Sequence, residues 1–146
     1  MRLHLLAVGR ARGSAAELYG EYARRLSWPL TLKEIEFKQT AQAREAEALL
    51  AAIPAGARVV VCDERGKALG SAEFSAILGN WQDEGVRDVC FLLGGADGHT
   101  DAVRQRANLL LSLGKMTWPH QLARVMLIEQ IYRAQQIIAG HPYHRA

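Results

Sequence analysis

The run Gly94-Gly95-Ala96-Asp97-Gly98 stands directly after the apolar stretch DVCFLL at 88–93. Glycines at the carboxyl end of a strand let backbone approach a ligand closely, and open α/β sheets bind ligands in that crevice. An ordinary tight turn would use the same residues. The spacing is not that of a dinucleotide-binding fingerprint, which belongs at the first strand-to-helix turn, and no Gly-Lys-Ser/Thr closes the run into a phosphate loop. A second loop, Leu113-Gly114-Lys115-Met116-Thr117-Trp118-Pro119-His120, offers a glycine, a hydroxyl and a proline that can shape a backbone cradle for an adenine and a sulfonium-bearing side chain. The plainer reading is a connection with Pro119 at a helix start.

Two further groups carry charge. Glu129 and Arg133 stand four apart with the acid first, the favourable order on a helix and usually a solvated pair. The end of the sequence packs His141, Pro142, Tyr143, His144 and Arg145 together, where chain ends usually fray. Two histidines there suggest a metal, but no third ligand is evident, and Cys62 and Cys90 sit inside apolar runs, so no metal is expected. Aromatic, imidazole and guanidinium groups suit stacking on a nucleobase and holding a phosphate.

The elements that must position these groups follow from apolar runs alternating with segments of helical period, the pattern of an α/β domain with a largely parallel sheet. Strands are expected at 3–8, 30–37, 58–63, 88–93 and 109–113. Helices are expected at 14–27, 40–53, 71–83 and 120–139, the first opened by Ser14 and Glu17 as a capping box, the last closed by Gly140. The segment ERGKALG at 64–70 reads as a loop. The last helix is apolar around most of its girth, through Leu122, Val125, Met126, Leu127, Ile128, Ile131, Tyr132, Ile137 and Ile138, which predicts burial between subunits.

Length and composition fit one domain over 1–146: 49% of residues are hydrophobic and 23% charged, as in folded soluble chains. The net charge of +3 allows a polyanionic partner without requiring one. The opening MRLHLLAVGRARG is too short an apolar run for a signal segment, and no stretch reaches the ~20 apolar residues that span a bilayer. Two cysteines in apolar runs suggest a reducing compartment, so a soluble cytoplasmic protein is expected.

Taken in order, VCDERGK (61–67), LLGGADG (92–98), MTWPHQLAR (116–124), EQIYRA (129–134) and the terminal HPYHR (141–145) resemble the RlmH family, the 23S rRNA pseudouridine N3-methyltransferases of the SPOUT class. The resemblance spans essentially the whole chain. It implies an open, largely parallel sheet with helices on both faces and a C-terminal trefoil knot, and a homodimer with knot and long helix at the interface. It implies S-adenosylmethionine as cofactor, bound by Cys62, Gly94, Gly95, Gly98, Leu113, Gly114, Lys115, Met116, Thr117 and Trp118. His120, Glu129, Arg133, Tyr143, His144 and Arg145 match positions tied to activity or RNA engagement, with tail residues completing the partner subunit's site. The partner would be ribosomal RNA in the ribosome or large subunit. Cys62 stands where leucine is common and Gly114-Lys115 replaces a serine-containing pair, changes that backbone recognition of adenine tolerates.

Within that resemblance, His144 is expected to contact the base, with Tyr143 stacking or hydrogen-bonding and Arg145 holding a phosphate or an imide oxygen. Two rivals remain at this point: a non-catalytic ribosome-binding factor with the same fold, and a different nucleotide-dependent α/β enzyme such as a small oxidoreductase, whose phosphate and ribose signatures are missing.

Overall fold

A computed structural model describes residues 1–39 and 41–145. The chain runs β1 (Arg2–Val8), α1 (Gly13–Arg25), β2 (Leu30–Ile35), α2 (Gln42–Ala51), β3 (Arg58–Lys67), α3 (Ser71–Asp83), β4 (Asp88–Leu93), α4 (Asp101–Arg106), β5 (Leu109–Leu111) and α5 (His120–Ile138). All strand pairings are parallel, in the order β2-β1-β4-β3-β5.

The two-residue period of each inner strand feeds two cores. Leu3, Leu5 and Ala7 of β1, Val60 of β3, and Val89, Phe91 and Leu93 of β4 pack with Tyr19, Phe74, Leu78, Val125, Leu127, Ile128 and Ile131, so α1, α3 and α5 cover this face. Leu6, Val8, Val59, Val61, Cys90 and Leu92 meet Ala46, Leu49 and Val103 of α2 and α4 on the other. Every residue of β4 is buried, as a strand between neighbours and under helices on both sides must be.

The sequence expectations hold for element type and shift in detail. Arg12, not Ser14, precedes α1 as its N-cap, without a side-chain bond, so the expected capping box does not form. Helix α2 starts at Gln42; the expected start, Thr40, and the last residue of the tail, Ala146, lie outside the described residues. Helix α4 was not expected, its six residues being too short to show a period; the Thr100 hydroxyl accepts from the Val103 N–H at its start. Strand β5 ends at Leu111, two residues early.

The larger correction concerns β3. The expected loop at 64–70 is half strand: after Cys62 pairs with Leu111, the chain bulges outward over four residues and Lys67 returns to pair with Leu111 again. That return needs Gly66, since a Cβ there would stand 2.5 Å from the Leu110 carbonyl oxygen and 2.7 Å from the Leu111 nitrogen. Helix α5 ends as the sequence predicts: Gly140 has φ 72°, its N–H donates to the Ile137 carbonyl, and the His141 N–H donates to the Gln136 carbonyl. The all-round apolar character of α5 is met largely within the chain, where it packs on α1 and α3, but Leu122 and Ile138 remain exposed, as does Leu18 of α1.

At the amino end of the sheet, Asp88 takes a two-point bond from Arg2 (3.0 Å each) and lies 2.8 Å from His4 Nε2, tying β1 to β4. The bonds from His4 and Arg2 hold the Asp88 carboxyl below its ordinary value. A carboxylate lowered on folding contributes stability above its unfolded pKa of about 3.9 and loses it as pH falls through the folded value. Asp88→Asn is therefore expected to cost about 1–2 kcal/mol at pH 7 and much less near pH 2. Denaturant titrations at the two pH values check this; equal costs at both would contradict it.

Candidate functional site

The order β2-β1-β4-β3-β5 sends the connection after β3 to the α3 face and the connection after β4 to the α4 face. Loops leaving neighbouring strands toward opposite faces open a crevice at the carboxyl ends, the usual ligand position in open α/β sheets. A cavity of about 440 Å³ lies there, lined by three strands where their regular pairing ends: Cys62 to Arg65 at the bulge of β3, Leu93 to His99 from the last residue of β4 onward, and Leu111 to Gly114 with Met116 to Trp118 from the last residue of β5 onward. His120 and Ala123 of α5 close it.

The cavity therefore brings together Cys62, Gly94, Gly95, Gly98, Leu113, Gly114, Met116, Thr117, Trp118 and His120. Lys115 is exposed and not part of the lining. Two glycines make the cradle possible. A Cβ at Gly94 would sit 3.2 Å from the Gly98 carbonyl carbon and from His99 Cε1; one at Gly95 would sit 2.8 Å from Val8 Cγ1. Burial pushes the Cys62 thiol up to about 12, so it remains a protonated wall group and not a nucleophile.

Four polar lining residues were not among the expected site residues: Gln42, Asp63, His99 and Arg104. Together they hold the GGADG turn. Arg104 donates to the His99 carbonyl at 2.7 Å and to Asp63 at 3.2 Å, and also pairs with Asp101. Gln42 donates to the Asp97 carbonyl at 2.9 Å. Asp63 directly follows Cys62 and was within reach of the motif; Arg104 lies on the short helix that periodicity cannot reveal. Burial keeps the His99 imidazole below its ordinary pKa, so it is neutral at physiological pH despite nearby Asp63.

The remaining expected residues form a second group. Arg133 donates through Nε (3.0 Å) and Nη2 (2.6 Å) to Glu129 Oε1, the Tyr143 hydroxyl donates to the same oxygen at 3.1 Å, and Arg133 Nη1 lies 3.1 Å from His144 Nδ1. The Arg133 guanidinium also stacks 4.9 Å from the Tyr143 ring centre, and Tyr132 meets that ring edge-on. The tail thus folds onto α5 instead of fraying. Glu129 in turn lines a second, more apolar cavity of about 370 Å³, with Leu18, Tyr22, Gly70, Phe74, Val125 and Met126. The two cavities share Leu111, Ser112, Leu113 and Gly114 as a common wall. Arg145 is exposed and takes part in neither group of bonds among the described residues.

A guanidinium only donates, so His144 Nδ1 accepts and its proton resides on Nε2. Burial, with the Glu129 bond second, raises Tyr143 to about 12. Near neutral pH the Tyr143 hydroxyl therefore keeps its proton, which it gives to Glu129. Among the described residues no group of three metal-ligating side chains comes together, and no helix is long and apolar enough to cross a membrane.

A family model described as "Predicted SPOUT methyltransferase" matches residues 1–144. The chain belongs to the SPOUT methyltransferase family. Among its SPOUT relatives, "Ribosomal RNA large subunit methyltransferase H" of Rhodospirillum centenum is 57% identical, covering 100% of both chains. The protein of the same name from Paramagnetospirillum magneticum is 55% identical over 99% of each. Two solved structures share the fold at low identity. A probable methyltransferase from Bordetella pertussis Tohama I has TM-score 0.58 at 11% identity, covering 91% of this chain and 95% of that one. A putative methyltransferase from Legionella pneumophila, solved with the bound cofactor SAM, has TM-score 0.52 at 12% identity, covering 92% and 66%.

Proposed function

We propose that this SPOUT protein transfers a methyl group from S-adenosylmethionine to N3 of a pseudouridine in 23S rRNA of the large ribosomal subunit, as a cytoplasmic homodimer. The observation that carries the reading is the convergence of three strand ends on one glycine-walled cavity, in a chain with full-length similarity to proteins named as large-subunit rRNA methyltransferases.

The cavity fits the donor. Its volume of about 440 Å³ is within the range of small-molecule sites, and its wall includes backbone of Gly94 and Gly95, where a Cβ would press on Gly98, His99 and Val8 and distort the turn. Cys62, Gly94, Gly95, Gly98 and the 113–118 loop would hold it, mainly through backbone, so the side-chain differences at Cys62, Gly114 and Lys115 matter little. When bound, the sulfonium supplies an already activated methyl group, which leaves the protein the task of in-line placement.

The second cavity suits the acceptor base, since it shares the 111–114 wall with the first and carries Glu129. Held by Arg133, His144 Nε2–H would donate to an imide oxygen of the base, the Tyr143 ring, its hydroxyl proton given to Glu129, would stack on the base, and Arg145 would meet a phosphate. His144 in this tautomer is a contact to the base and not its proton acceptor; the N3 proton then leaves to water. His120, on the rim of the first cavity, would lie between donor and RNA.

Exposed Leu18 on α1 and Leu122 and Ile138 on α5 favour a second copy of the chain packing against these helices, where each tail would complete the partner's site.

Calorimetry with S-adenosylmethionine and with its demethylated product tests the donor site and separates an enzyme from a ribosome-binding factor of the same fold. Micromolar-range binding of both is expected, lost in Gly95→Val; a chain that binds neither would contradict the proposal.

A further inference from the structure

The loop Gly9-Arg10-Ala11-Arg12-Gly13 takes no part in either cavity, yet the fold secures it with unusual care. Both flanking glycines have positive φ, 90° and 57°. Arg124 of α5, only 2% exposed, donates to the Gly9 carbonyl at 3.0 Å and to Glu34 at 2.6 Å. Glu34 accepts from the Ala11 N–H at 2.7 Å, and Gln121 accepts from the Arg12 N–H at 3.2 Å while donating to the Arg10 carbonyl at 3.3 Å. Taking a guanidinium out of water costs several kcal/mol unless its partners are well placed. Here that cost is met in order to fix five residues of surface backbone.

What the clamp presents is two exposed guanidinium groups. Arg10 and Arg12 both face solvent, and among the described residues the Arg12 guanidinium pairs only with an exposed Glu36 at 3.7 Å. A loose surface pair of that kind is worth little and yields readily to a stronger anion. The loop also runs beside the donor cavity, because a Cβ at Gly9 would stand 3.8 Å from Nε2 of His120, which lines it.

We infer that the 9–13 loop is a preorganised phosphate grip, in which Arg10 and Arg12 hold the backbone of the RNA strand that delivers its base to the site. The inference rests on the proposed RNA substrate. Guanidinium forks match phosphate oxygens, and such contacts set register without reading sequence. Arg124 and Gln121 are positioning residues that keep the grip in line with α5 and therefore with Glu129 and the tail.

The test compares wild type with Arg10→Ala/Arg12→Ala and with Arg10→Lys/Arg12→Lys, using large ribosomal subunits from cells lacking the protein. Subunit binding is measured from low to high salt, and donor-product binding by calorimetry. The alanine pair is expected to bind subunits roughly tenfold more weakly, with a salt slope lower by about 1.5–2, and the lysine pair to recover the slope. Donor-product affinity should stay within about twofold in both. An unchanged salt slope in the alanine pair, or loss of donor-product binding with it, would overturn the inference. If wild type itself bound neither donor nor subunits, it is the proposed function that would fail.

Discussion

Replacing Gly66 with alanine is expected to destabilise the protein by about 3 kcal/mol, the upper range for overpacking, because the added methyl meets backbone that has no rotamer to give. The clashing atoms are the carbonyl of Leu110 and the nitrogen of Leu111, both in β5, and the residue after Gly66 is the one that returns to pair with Leu111. The only relief is for the end of β3 to lift away. Leu111 and the following Ser112 to Gly114 form the wall common to both cavities, so donor binding is expected to weaken along with the fold. Chemical denaturation and calorimetry of the same variant read the two effects. A stability within about 0.5 kcal/mol of wild type would mean that the close approach at Gly66 does not constrain the fold.

The same position shows where sequence reasoning stops. The strands DVCFLL and RVVVCD were legible because residues buried on both faces of a parallel sheet are continuously apolar. The end of α5 was legible because Gly140 is a local signal for a left-handed residue. Nothing in ERGK announces that Lys67 comes back onto β5, since that pairing joins residues 44 positions apart and depends on the space around Gly66. Helix α4 escaped for the opposite reason, being shorter than two turns.

The candidate site divides in the same way. The glycine turn and the 113–118 loop could be found from glycine placement after strands, spacing and residue type singled out Glu129, Arg133, Tyr143 and His144, and the resemblance tied them to activity. That Gln42 and Arg104 fasten the turn could not be read, because Gln42 reaches it from an element distant in sequence and Arg104 stands on a helix too short to show a period. The sequence also gave no reason to expect Tyr143 and Arg133 to share one carboxylate oxygen, a fact that depends on how the tail turns after Gly140.

That shared oxygen sets the second large effect. Glu129→Gln is expected to lower kcat for methyl transfer on the order of 100-fold, the scale of a reacting group displaced by about 1 Å. The substituted amide keeps one acceptor oxygen but loses the negative charge that draws the Arg133 fork and the Tyr143 hydroxyl onto it, so the tail loses its fixed orientation. Affinity for the donor product should change less than threefold, since Glu129 does not line the first cavity. Tyr143→Phe removes one hydroxyl and leaves the Arg133 pair, so it should cost about tenfold. Single-turnover kinetics at saturating donor distinguish these outcomes. A native rate in Glu129→Gln would separate the tail cluster from the chemistry.

The most direct test of the proposed reaction is mass mapping of 23S rRNA from cells lacking the protein, before and after incubation of their large subunits or ribosomes with purified protein and isotopically labelled S-adenosylmethionine. One labelled methyl group should appear on the base of a single pseudouridine, and only when both protein and donor are present. Subunits and ribosomes that remain unlabelled, while calorimetry shows the protein folded and holding the donor, would contradict the account.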